Sequence, residues 1–205
     1  GLKVNTVDSI HTVLHPTFQM AVRDDIIRSN PTDGAMAELK RQNKKHSSIK
    51  HALTLDQERA FLKFLDDNKD INRWKPLFTV MFGTGCRIGE VIGLRWEDID
   101  ENNNSISVNH SITYYPRSDN SYKCEFQVSL PKTEAGIRTI PMLHKVKEAF
   151  QQEREYQDKT GLRNIMELDG MRDFIFCNRF GNLHNPAAIN RAIKRIVDDY
   201  NAKEI

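Results

Sequence analysis

The stretch GTGCRIGEVIGLRWEDID, residues 83–100, contains an arginine, Arg87, that follows two glycines and lies among small or apolar residues. A guanidinium in largely apolar surroundings needs an anion nearby, because burial removes the water that solvates its charge. The apolar spacing predicts a helix that begins near Arg87, with Glu90 beside Arg87 on its polar side. The anion is therefore Glu90, the phosphate of a ligand, or both.

The composition is that of a globular protein of one domain and part of another. The chain has 205 residues, is 39% hydrophobic and carries a formal net charge of +2. No run approaches the roughly eighteen apolar residues of a membrane helix, and the start, GLKVNTVDSI, lacks the layout of a secretion signal. We therefore expect a cytoplasmic protein. The absence of an initiator methionine predicts a piece of a longer chain.

The cysteines and the basic residues are distributed unevenly. The three cysteines lie far apart without a C-x-x-C spacing, which predicts reduced thiols and neither a zinc site nor a disulfide framework. Residues 39–51, LKRQNKKHSSIKH, hold five basic residues and no acid. We interpret residues 38–52 as an interdomain linker that contacts DNA phosphates through Lys40, Arg41, Lys44 and Lys45, and a merely solvated tether remains the alternative.

The periodicity on either side of that linker predicts two units. Residues 6–29 have helical spacing, with Pro16 expected to kink or split the helix and Asn30-Pro31 expected to end it. Residues 1–37 are therefore predicted to be the end of a helical domain. Residues 53–205 form the second domain, which opens with a capping box, TLDQ, at 54–57.

The second domain is predicted to be mixed α+β and mainly helical, with helices around a small antiparallel three-stranded sheet. Alternation predicts strands at 105–114 and 126–130 and a third in IRTIPM, residues 137–142, with Lys132 at the hairpin tip or its shoulder. Helical spacing resumes at 144–158. A last helix follows an Asn185 cap and carries a polar face of Arg191, Lys194 and Arg195.

Three stretches resemble one family. TGCRIGEVIGLRWEDID, LPKTEAGIRTIPM and FGNLHNPAAINRAIKRI, in that order, resemble the catalytic domain of tyrosine recombinases, particularly the integrases of phages and conjugative transposons. VLHPTFQMAVRDDIIRSNP resembles the closing part of that family's core-binding domain. The resemblance implies a DNA integration and recombination enzyme of a mobile element. Its partner would be a double-stranded DNA site, and it would act as a homo-oligomer, a tetramer in the synaptic complex.

The resemblance also implies roles for individual residues. Arg87 matches the first arginine of the phosphate clamp, Glu90 the acid that steadies it, and Lys132 the hairpin lysine. The implied chemistry needs no metal or cofactor: a tyrosine attacks the phosphodiester, and a covalent 3′-phosphotyrosine forms. The residue types suit these roles, because a guanidinium holds phosphate oxygens bidentately and a lysine can protonate the leaving oxygen.

The sequence departs from the family in its later motifs. No histidine is followed three residues later by arginine, so the His-x-x-Arg box is missing. Of the five tyrosines only Tyr200 lies near the end, and it falls on the apolar stripe of its helix. We therefore expect this chain to lack the nucleophile, to bind DNA and to be inactive alone.

Simpler interpretations remain open. Arg87 and Glu90 could be a structural ion pair, Lys132 an ordinary exposed lysine, and the basic face of the last helix a solvated surface. The main alternative function is a non-catalytic DNA-binding accessory protein or degenerate integrase relative. An unrelated helical interaction domain would explain the apolar stripes but not the arginine box and the lysine hairpin.

Overall fold

The computed structural model describes residues 2–44, 52–116, 123–131 and 133–204, and of Asn43, Lys44 and Glu204 only the backbone. The chain divides into two compact units, residues 1–52 and 53–205. Lys45, Tyr122 and Lys132 lie outside the described residues. The assignment of residues 1–37 to a core-binding domain stays a prediction.

The first unit contains α1, Val4–Arg23, and α2, Ala37–Lys44. Pro16 lies inside α1 without splitting it, since a proline removes one backbone hydrogen bond and the rest of this twenty-residue helix keeps its own. The predicted end at Asn30 was wrong. The helix stops at Arg23, and Asp25 takes a left-handed conformation with a φ of 56°.

Helix α2 covers part of the segment that was predicted to be a linker, residues 38–52. Its side chains show no apolar period, but Glu38 in its first turn accepts hydrogen bonds from Arg41 and Gln42, one turn further on. Lys40 also has an acidic partner, because its Nζ lies 2.9 Å from Oδ1 of Asp8 on α1. Two of the predicted phosphate contacts are thus ion-paired within their own unit.

Among the described residues, the second unit has five α-helices: α3, Leu55–Asp67; α4, Lys75–Thr84; α5, Ile88–Gly93; α6, His144–Thr160; and α7, Pro186–Glu204. The capping box of α3 is confirmed, with Gln57 N 3.2 Å from Thr54 Oγ1 and Thr54 N 2.9 Å from Gln57 Oε1. Asn185 caps α7 by accepting a hydrogen bond from the amide of Ala187 at 2.7 Å.

In the described part of the chain, five short strands build two antiparallel sheets: β1, Ile99–Asp100; β2, Ser105–Val108; β3, Ser111–Pro116; β4, Cys124–Ser129; and β5, Arg138–Pro141. The order β1-β2-β5 confirms a small three-stranded antiparallel sheet, whereas β3 and β4 pair separately. The predicted strand 105–114 is therefore two strands. His110 separates them, and its Nε2 lies 2.7 Å from the carbonyl oxygen of Gly93.

The core of the second unit is formed by buried side chains of α4, α5, β2, α6 and α7 and of the segment 174–177, among them Phe78, Val91, Ile92, Ile106, Phe150, Phe174, Phe176, Ile189 and Ile196. Tyr200 packs edge-on against Phe64 with ring centroids 5.4 Å apart, in agreement with its predicted packing role. Within the described ranges, no helix is both long enough and apolar enough to cross a membrane.

Candidate functional site

Two glycines place Arg87 at the start of α5. Gly85 ends α4 in the left-handed conformation, with a φ of 63°, and its amide donates to the carbonyl of Met81. Gly89 lets α5 approach β3, since a Cβ there would lie only 2.6 Å from the carbonyl oxygen of Ile112. Arg87 itself is the extended N-cap of α5, so its side chain leaves the helix at its N-terminal end.

The buried charge at this site is the acid and not the arginine. The Arg87 side chain is 84% exposed, whereas that of Glu90 is 8% exposed. The prediction that Arg87 lies in largely apolar surroundings was therefore wrong. The apolar neighbours in the sequence point into the core from α5, while an N-cap side chain projects outward.

Glu90 is held from two sides. Its Oε2 accepts the backbone amide of Arg87 at 2.8 Å, and its Oε1 accepts Nη1 of Arg87 at 3.2 Å. Arg138 forms the second contact, bidentately, with Nη1 3.1 Å from Oε1 and Nη2 2.8 Å from Oε2. These bonds, led by those from Arg138, lower the pKa of Glu90 to about 2 even though burial opposes the shift.

Arg138 is the site residue that the sequence analysis missed. It begins β5, where it pairs with Val108 of β2, and it lies 48 residues from Glu90 in the chain. Its pKa is raised, chiefly by the hydrogen bonds to Glu90. One signal was present: in IRTIP, the alternation places Arg138 on the half-buried face of β5 with Ile140, where a charge needs a partner.

Arg87, Glu90 and Arg138 line a cavity of about 1160 Å³ between α5, the β3–β4 hairpin and the turn before β5. Pro131 and Thr133, the sequence neighbours of Lys132, line the same cavity. The remaining lining includes the buried His110, the exposed Tyr115 and Pro186 at the start of α7.

The other predicted contact residues lie elsewhere. Arg191, Lys194 and Arg195 are exposed on α7, as their polar face predicted. Arg191 and Arg195 line a second cavity, of about 660 Å³, together with Arg73 and Trp74. The structure therefore does not bring them into the cavity of Arg87.

The cavity of Arg87 is suited to an anion. The charges of Glu90 and Arg138 offset each other, and the exposed Arg87 adds a positive charge to the cavity lining. Among the residues that the structure describes, no cluster of histidine, cysteine and acidic side chains could hold a metal ion.

Comparison with known proteins shows which family the chain resembles. Residues 51–205 match the phage integrase family. The chain is 28% identical over 201 residues to the transposase from transposon Tn916 of Enterococcus faecalis, covering 98% of this chain and 47% of that protein. It is 29% identical over 160 residues to the ICEBs1 integrase of Bacillus subtilis, covering 78% and 39%. The chain thus spans about half the length, or less, of these curated relatives.

A solved structure extends the similarity to the fold. The Tn1549 transposon integrase, in complex with a circular intermediate DNA, superposes with a TM-score of 0.84 at 28% sequence identity. The alignment covers 98% of this chain and 60% of that one. The fold described above is therefore that of the Tn1549 transposon integrase, which was solved in complex with DNA.

Proposed function

Because the chain belongs to the phage integrase family, we propose that it supplies the phosphate-binding part of the active site of a site-specific DNA recombinase of a mobile element. The observation that carries this proposal is the contrast at α5: Glu90 is buried and fully bonded, whereas the Arg87 guanidinium is exposed in a large cavity. A structural ion pair needs no such exposed partner.

Arg87 stabilises the charge that develops at the scissile phosphate. One of its five guanidinium N–H donors is used for Glu90, so the others are available to the non-bridging oxygens. The backbone bond to Glu90 fixes where the side chain begins. Preorganised donors of this kind lower the barrier because they need little rearrangement when the charge appears.

Lys132 protonates the leaving 5′-oxygen in this proposal. The support comes from its neighbours, since Pro131 and Thr133 both line the cavity of Arg87. An ammonium group in reach of the leaving oxygen acts as a general acid. The exposed α7 residues Arg191, Lys194 and Arg195 contact phosphates of the same duplex, as do the basic side chains of α2 and the segment after it.

The nucleophile is a tyrosine outside these 205 residues, and the active recombinase is a tetramer on two DNA duplexes. Three described tyrosines support the first statement. Tyr200 packs on Phe64, Tyr114 on Phe126, and Tyr156 lies under the guanidinium of Arg73. Each ring has a structural role within the fold.

The test is strand cleavage by the whole recombinase that contains this chain. Under single-turnover conditions, Arg87→Ala and Lys132→Ala should each slow cleavage on the order of 100-fold or more while affinity for the site changes little. The matched control is Arg172→Ala, which removes another exposed arginine, paired with the carboxylate of Glu167 outside the cavity. That variant should cleave like the wild type.

Two outcomes would refute parts of this proposal. Wild-type rates for Arg87→Ala, with DNA binding intact, would favour the non-catalytic DNA-binding protein. A covalent protein–DNA band from the 205-residue chain alone, on a denaturing gel, would place the nucleophile inside it. Tyr115, which is exposed and lines the cavity of Arg87, would then be the first residue to replace by phenylalanine.

A further inference from the structure

We propose that Arg138 is a positioning residue: it satisfies Glu90 from the sheet side and thereby leaves the guanidinium of Arg87 available to the phosphate. This inference rests on the proposed function. It assigns to Arg138 a role in the reaction that is exerted through Glu90.

The hydrogen bonds of Glu90 show a division of work. Each carboxylate oxygen accepts two bonds, one from Arg138 and one from Arg87. Arg138 bonds only through its side chain, whereas the shorter of the two bonds from Arg87 is the one from its backbone. Arg138 therefore supplies most of the side-chain hydrogen bonding that compensates the buried charge of Glu90. Arg87 contributes mainly through its backbone amide, which fixes the carboxylate at the start of α5.

Removal of Arg138 would change the interaction between the carboxylate of Glu90 and the guanidinium of Arg87. A buried carboxylate that loses a bidentate partner retains its charge only if another cation moves closer, or else it takes up a proton. Arg87 is the remaining guanidinium bonded to Glu90 among the described residues. Its donors would turn inward to the carboxylate in the first case, and its rotamer would lose its anchor in the second. Both reduce the fraction of Arg87 that is directed at the phosphate.

Arg138 is itself well fixed. Its backbone lies in the register of β2 and β5, its side chain is 32% exposed, and Nη2 also lies 3.7 Å from Sγ of the buried Cys86. A lysine at this position would keep the charge but not the two parallel bonds, because an ammonium is a point donor. The geometry thus requires arginine and not merely a cation.

The experiment is a double-mutant cycle in the whole recombinase, measured by single-turnover cleavage. We expect Arg138→Gln to slow cleavage about 10- to 100-fold with less than about a 3-fold change in site affinity. Arg138→Lys should lie between this variant and the wild type. In the Arg87→Ala background, Arg138→Gln should add less than about a 2-fold loss, because the group that it positions is gone.

A second readout follows positioning without activity. In the 205-residue chain, the ¹³C shift of the Glu90 side-chain carboxyl reports its pKa, which should rise from about 2 when Arg138 is replaced. The Arg138→Lys chain is titrated and assayed in the same way, so the test stands if Arg138→Gln does not fold.

The outcomes separate the two proposals. A wild-type recombinase that cleaves, combined with losses that simply multiply in the cycle, overturns the role of Arg138 and leaves the proposed function intact. An unchanged pKa of Glu90 in both Arg138 variants overturns it as well. Wild-type protein that neither binds nor cleaves DNA refutes the proposed function, and the role of Arg138 falls with it.

Discussion

The stretch 83–100 contains the same local motif twice, an arginine followed three residues later by an acid: Arg87 with Glu90, and Arg95 with Asp98. The two are alike in the backbone. In each, a buried carboxylate accepts the amide of its arginine, at 2.8 Å from Arg87 and 2.9 Å from Arg95. In both, the acid thus caps the start of a helical turn.

The side chains differ. Arg95 is 14% exposed, bonds Asp98 through Nε and Nη2 at 3.2 Å, and also pairs with Glu97. In the second motif, one arginine thus pairs with two acids. In the first motif, two arginines pair with one acid, Glu90, and Arg87 is left exposed. An arginine becomes available to a ligand when a second guanidinium takes over its carboxylate.

The largest expected effect comes from removing the enclosed arginine. Arg95→Ala leaves Asp98 buried with weakened compensation, so the free energy of unfolding should fall by about 3 kcal/mol. Arg87→Ala should cost less than about 1 kcal/mol, because the side chain is exposed and Arg138 still holds Glu90. Urea unfolding followed by circular dichroism measures both. Equal losses in the free energy of unfolding would show that Arg87 and Arg95 contribute equally to the stability of the fold.

The second effect concerns the arginine from the sheet. Arg138→Gln should lower the free energy of unfolding by about 2 kcal/mol, since Glu90 loses its bidentate partner but keeps Arg87. The control is Arg172→Ala, an exposed pair for which we expect less than about 0.5 kcal/mol. A stability loss for Arg138→Gln no larger than that of the control would contradict the idea that Arg138 is the main structural partner of Glu90.

The third effect depends on pH. The pKa of Glu90 is about 2 in the folded chain against 4.5 for an ordinary glutamate, so the unfolded chain takes up this proton first as the pH falls. The contribution of ionised Glu90 to the free energy of unfolding is complete above about pH 4.5 and is lost toward pH 2. Over this range the free energy of unfolding changes on the order of 1 kcal/mol per pH unit. Arg87 and Arg138 are the charged groups that face it. Subtracting the curve of Glu90→Gln from that of the wild type isolates the effect, which Arg138→Gln should flatten.

The smallest effect is expected at the outer acid of the second motif. Glu97 is exposed where it meets Arg95, so Glu97→Ala should change the free energy of unfolding by less than about 1 kcal/mol. Asp98 keeps Arg95 in place without it. A loss as large as that of Arg95→Ala would mean that Glu97, and not Asp98, encloses the arginine.

The sequence predicted what depends on near neighbours. The capping box of Thr54 and Gln57, the start of α5 at Arg87 and the cap of Asn185 on α7 all follow from residues within a few positions of one another. The helices of the second unit and the alternation in β2, β3 and β4 follow from apolar periods of 3.6 and 2. Local backbone geometry and the need to bury one face are sufficient for these features.

The errors of prediction in the first unit concern features that its apolar pattern does not encode. Helix α2 has no apolar face of its own and is stabilised by side-chain bonds such as those of Glu38, so periodicity could not reveal it. The end of α1 at Arg23 depends on the left-handed conformation of Asp25, which cannot be predicted from composition alone.

The sequence by itself therefore determined the fold class, the family and the two R-x-x-acid motifs, because each depends on residue types at short spacing. Only the tertiary structure decided which arginine is exposed. Glu90 meets Arg138 across 48 residues because β5 pairs with β2, and β3, which follows β2 in the chain, packs on α5. No local pattern encodes that arrangement. The availability of Arg87 is thus a property of the packed sheet, since the electrostatic demand of a buried carboxylate is met by whichever cations the fold places around it.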